Sequence, residues 1–81
     1  MKTQSQLVDE FAQTMKDELI NNHHKGDWRD WREVNSMRYE LDYHIAKLDK
    51  AIFEENKETI KEHLADCANF LLMIGNAYKL Y

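Results

Sequence analysis

Residues 57–81 read KETIKEHLADCANFLLMIGNAYKLY and decide the fold. Ile60, Leu64, Cys67, Leu71, Ile74, Tyr78 and Tyr81 recur at alternating steps of four and three. That is the a/d seam of a helix packed along its length against other helices. Beside the seam runs a second row at helical spacing, His63, Asp66, Phe70, Met73 and Ala77. Asp66 thus stands one turn before a run of large apolar side chains. A carboxylate at the edge of a core is costly without a partner, so the function turns on what Asp66 is there for.

Working outward, residues 3–22 carry Leu7, Val8, Phe11, Ala12, Met15 and Leu19 at helical spacing, with Asp9, Glu10, Lys16, Asp17 and Glu18 mostly on the other side. This predicts an amphipathic helix capped by Thr3 or Ser5. Residues 35–55 carry Met37, Leu41, Ile45, Leu48 and Ile52, with Glu40, His44, Lys47 and Ala51 in a parallel row, and Asn35 or Ser36 as a cap. A short turn around Glu55 and Asn56 then leads into a third helix over 57–80, with Thr59 and Glu62 spaced as a capping box. The expected architecture is all-α. It is one domain over 1–81, a three-helix amphipathic bundle whose second and third helices form a long antiparallel hairpin. Eighty-one residues bury a modest core, and a single cysteine makes no internal disulfide, so oligomerisation is expected to complete the bundle.

Composition narrows the class. The apolar fraction of 43% excludes a disordered chain, and the net charge of −4, with acids and bases interspersed, argues against a duplex nucleic-acid partner. The N-terminus is polar with no apolar h-region, and no segment approaches the roughly 20 apolar residues of a membrane span, so no membrane partner is expected. The expected compartment is the cytoplasm, which also suits Cys67 as a small reduced hydrophobe.

Counting both ways from Asn56 puts Lys47 and Asp66 at nearly one height, with His44 near Asn69. His44, Lys47, His63, Asp66 and Asn69 therefore form a candidate polar patch between the last two helices. A second candidate lies in the one clear loop, residues 21–31, which holds Gly26. There Lys25, with His23 and His24, can offer positive charge to a phosphate, and Trp28 or Trp31 can stack on a planar ligand. The bland alternative is a solvated loop with two tryptophans plugging the bundle end.

Several stretches resemble the MazG-type, all-α nucleoside triphosphate pyrophosphohydrolases, above all the short phage and bacterial members. They are Phe11-Ala12-Gln13-Thr14-Met15, Lys25-Gly26-Asp27-Trp28, residues 41–52 and, most specifically, Glu62-His63-Leu64-Ala65-Asp66-Cys67-Ala68-Asn69-Phe70-Leu71-Leu72-Met73-Ile74. The resemblance implies a helical dimer or tetramer in which a Glu-x-x-Glu and a Glu-x-x-Asp bind Mg²⁺ to split a nucleoside triphosphate into monophosphate and pyrophosphate. Asp66 and Asn69 match the family's Asp and Asn. His44 and Lys47 stand where the Glu-x-x-Glu is expected, and His63 where the next Glu is expected. Glu62 lies one residue, about 100° around the helix, from that position, and Glu40 lies one turn before His44.

Mg²⁺ favours oxygen ligands, whereas the Lys47 ammonium can replace an ion by pairing with Asp66. These changes point to a catalytically degenerate homo-oligomer that binds, and by binding sequesters, a nucleotide or related phosphate. It would need no cofactor. The alternative is an active pyrophosphohydrolase using Mg²⁺ or a softer divalent metal such as Zn²⁺, Mn²⁺ or Fe²⁺. Its ligands would be His44, His63 and Asp66, with Asp66 catalytic and Lys47 moved aside. A third possibility is a purely structural or protein-binding oligomer, in which a buried Lys47–Asp66 pair sets helix register.

Overall fold

The structure, a computed structural model, describes residues 1–22 and 33–81. Three helices follow in order: α1 (Gln4–Asn21), α2 (Val34–Phe53) and α3 (Lys57–Ala77). The all-α architecture and the α2–α3 hairpin are as the periodicity predicts, with ends within three residues of expectation. No described helix is long and apolar enough to cross a membrane.

Local chemistry sets the helix ends. Thr3 caps α1 in a reciprocal box: the Gln6 amide donates to the Thr3 hydroxyl oxygen, and the Thr3 amide donates to the Gln6 side chain. α2 begins one residue earlier than expected, at Val34, with Glu33 at the cap and no side-chain capping bond. Asn35 and Ser36 therefore do not cap it. At the other end of α2, Glu55 takes φ 55°, the Glu55 amide donates to the Ile52 carbonyl, and the Asn56 amide donates to the Ala51 carbonyl. That Schellman closure reverses the chain within three residues. Asn56 then caps α3 by accepting from the Thr59 amide, so α3 starts at Lys57. The end of α3 repeats the closure. Lys79 takes φ 60°, its amide donates to Asn76, and the Leu80 amide donates to Gly75. The Tyr81 ring folds back over Gly75, where an added Cβ would lie 2.7 Å from Cε2.

α3 is the central element, with α2 packed along one flank and α1 along another. The buried apolar residues are small or flexible: Met37, Leu41, Ala51, Ala65, Cys67 and Met73. Three more buried positions are polar, His63, Asp66 and Asn69. The facing of α3 differs from expectation. The second row, with His63, Asp66 and Met73, points inward, while much of the a/d seam points out. Leu64 is 41% exposed, Leu71 59% and Tyr78 64%. Ile45 and Ile52 of α2 are exposed as well. Helical spacing in an antiparallel hairpin puts them on the same side as Leu64 and Leu71, away from α1. A single chain thus leaves Leu64, Leu71 and Tyr78 of its heptad seam on the surface and buries His63, Asp66 and Asn69.

Candidate functional site

The site is centred on Asp66, which is only 8% exposed. The Schellman turn explains what meets it. The hairpin's apex is Glu55, the left-handed residue, rather than Asn56. His44 and Asp66 each lie eleven positions from that apex, and Lys47 and His63 each lie eight. Moving the apex by one residue shifts the match between the arms by two, about 3 Å of rise. It is therefore His44, not Lys47, that stands level with Asp66.

The outcome is a triangle of polar atoms. His44 Nδ1 lies 3.5 Å from Asp66 Oδ2, His63 Nδ1 lies 3.6 Å from the same oxygen, and the two Nδ1 atoms are 3.5 Å apart. The imidazoles are held by rings. Phe70 stacks on His44 at a centroid distance of 5.4 Å and 27°, and Tyr43 meets His44 edge-on at 5.7 Å. His63 is buried on the inner face of α3.

Lys47 does not occupy the place expected of it. Its Nζ sits 4.2 Å above the ring of Tyr43, one turn earlier on the same helix, and no ion pair joins it to Asp66 among the described residues. An ammonium over an aromatic face gains about 0.5–1 kcal/mol at an exposed site without losing its hydration. Pairing inside the core would require stripping that hydration. The expected Lys47–Asp66 pair is thus replaced by histidines.

Two acids join Asp66 from the opposite side. Carboxylate oxygens of Glu18, Glu62 and Asp66 lie within 4.8 Å of one another. Glu62 is exposed and still reaches the cluster despite its angular offset. Charge alone places Glu18 on the outer face of the first helix, yet it is half-buried at the cluster. The signal was present: Phe11, Met15, Glu18 and Asn22 step by four, three and four, so Glu18 continues the inward row of α1. Asn69 fixes the register of that helix. Its Nδ2 donates to the Met15 carbonyl at 3.1 Å, one turn before Glu18, while its Oδ1 has no hydrogen-bond partner among the described residues. Glu40 belongs to neither trio. Lys25, Trp28 and Trp31, with His23 and His24, lie outside the described residues.

The donor sets differ in chemistry. Two imidazoles and a carboxylate suit zinc-class or iron-class ions; three carboxylates suit hard ions such as Mg²⁺. Both share Asp66. Burial raises the Cys67 thiol above its ordinary pKa, and the carboxylates of Asp66 and then Asp49 push it the same way, so it remains a neutral thiol beside the site. Comparison of the chain with known protein families, curated proteins and solved structures yields no match.

Proposed function

We propose that this chain is a divalent-cation-binding helical protein of the cytoplasm that acts on a phosphate ligand of the nucleoside triphosphate type, as a small MazG-like pyrophosphohydrolase. One observation supports the cation: donor atoms from α2 and α3 converge within 3.6 Å of one another around a buried carboxylate. A buried polar cluster is expensive for the fold, and a bound cation offsets that cost. The phosphate ligand comes from the MazG resemblance, centred on Ala65-Asp66 and Ala68-Asn69-Phe70.

His44, His63 and Asp66 would hold the ion, with Glu18 and Glu62 flanking it. A divalent cation, when bound, would polarise a phosphoryl oxygen and acidify a coordinated water. Glu62, whose carboxylate lies within 4.8 Å of that of Asp66, would serve as the proton acceptor. Asn69 holds α1 so that Glu18 faces the cluster.

Self-association belongs to the same proposal. Ile45, Ile52, Leu64 and Leu71 form an exposed apolar face on the hairpin, and a heptad seam is satisfied by another seam. A second copy meeting it back-to-back makes a four-helix core.

The test is turnover. Purified protein is incubated with a panel of nucleoside triphosphates and with Mg²⁺, Mn²⁺ or Zn²⁺. Pyrophosphate release abolished by Asp66→Ala is expected. Nucleotide binding without turnover under any ion would restore the degenerate-binder alternative, which the missing family acids favour.

A further inference from the structure

We infer that the ion at Asp66 is a four-coordinate, zinc-class cation with His44 Nδ1, His63 Nδ1 and Asp66 Oδ2 as three of its ligands. This rests on the proposal that the cluster binds a divalent cation and adds which ion and which three atoms.

The edges of the triangle decide it. They measure 3.5, 3.5 and 3.6 Å, so it is nearly equilateral. In a tetrahedron the edge is about 1.63 times the bond length, so ligands 2.1 Å from zinc stand roughly 3.4 Å apart. In an octahedron the factor is about 1.41, so the 2.0–2.1 Å bonds of Mg²⁺ place neighbouring ligands roughly 2.9 Å apart. The observed edges match the first figure and exceed the second by more than half an ångström.

The competing explanation is a proton-sharing trio with no ion, one imidazolium donating to Asp66. Charge-assisted N–H···O bonds run at about 2.7–2.9 Å. Contacts of 3.5 and 3.6 Å are longer than that. Such spacing fits an ion between them. Neutral imidazole is also a ligand for zinc-class ions and a poor one for Mg²⁺.

Carboxylate oxygens of Glu18 and Glu62 also lie within 4.8 Å of Asp66, so a second, all-oxygen donor set shares that residue and is the rival the test must separate.

The test uses the full chain, stripped with a chelator and reloaded with cobalt(II) alone. Four-coordinate cobalt gives intense visible absorption, and six-coordinate cobalt gives weak bands. Intense bands are expected, displaced by one equivalent of Zn²⁺ and not by millimolar Mg²⁺. His44→Ala and His63→Ala should each weaken zinc binding by more than roughly 100-fold, the upper end of what changes to outer-shell partners cost. Glu62→Gln should retain it. The wild-type spectrum needs no variant, so a variant that fails to fold does not blunt the test. Weak bands, with binding lost in Glu18→Gln or Glu62→Gln but kept in the histidine variants, would place the ion among the carboxylates. That result overturns this inference and leaves the cation-binding proposal standing. Absence of any bound cobalt, zinc or magnesium would overturn both.

Discussion

The two rows of α3 sort in opposite directions. His63, Asp66 and Met73 of the second row are inside together with the neighbouring Asn69, although three of these four are polar. The row Leu64, Leu71 and Tyr78 is outside, although all three are large and apolar. Burial by hydrophobicity alone would reverse this assignment, because each buried leucine gains about 1.5–3 kcal/mol and each buried polar group costs about 1–3. The proposed cation answers to the inner set, and the proposed second copy to the outer one.

Perturbing each row in turn breaks or sharpens that contrast. The largest effect belongs to the inner row's buried apolar member, Met73. Met73→Ala should cost about 2–5 kcal/mol, since it opens a cavity where little else fills the core, and a urea melt would read it. A cost below about 1 kcal/mol would mean that the inner row is not the packed one. The outer row should behave differently. If the proposed back-to-back association holds, Leu71→Lys should give single chains in sedimentation and remove the dependence of melting temperature on protein concentration. It should leave the affinity for a divalent cation within about threefold, because the outer row lies on the far side of the hairpin from α1. An unchanged assembly would detach the seam from oligomerisation.

Smaller effects test what positions the rows. Asn56→Ala removes the cap that starts α3 immediately after the turn and should cost about 1 kcal/mol. Cys67 reports on the environment beside Asp66. Its raised pKa means that the unfolded thiol ionises first, so stability should fall as alkaline pH climbs from the unfolded value through the folded one. Alkylation of the native protein should lag behind that of the urea-unfolded chain. Equal rates would contradict a desolvated thiol. Gly75→Ala should have the smallest effect, a gain of at most about 1 kcal/mol from helix propensity, because only the exposed Tyr81 ring must move aside.

Much of this was legible in the sequence. Periodicity located all three helices, and the short turn fixed the hairpin, because both depend on contacts local in the chain. His44, His63, Asp66 and Asn69 were found by counting along that hairpin. What escaped depended on small offsets or on distant partners. The two rows of α3 differ by one position, and the covering of one row in an isolated chain depends on where α1 docks. Lys47 departs from expectation because the hairpin's apex is Glu55 rather than Asn56, and because Tyr43 captures its flexible ammonium. Charge suggests solvent exposure for Glu18, whereas its spacing from Phe11 and Met15 marks it as inward.

The central claim is that Asp66 anchors a cation in the inner row. Thermal unfolding of chelator-treated protein, with and without zinc at about 100 times the dissociation constant, tests it most directly. Bound ion should add about 2.7 kcal/mol of stability, a rise in melting temperature of roughly 10 °C or more for a chain this small, and Asp66→Ala should abolish the rise. A melting temperature that zinc, manganese and magnesium all leave unmoved in the wild-type chain would contradict it.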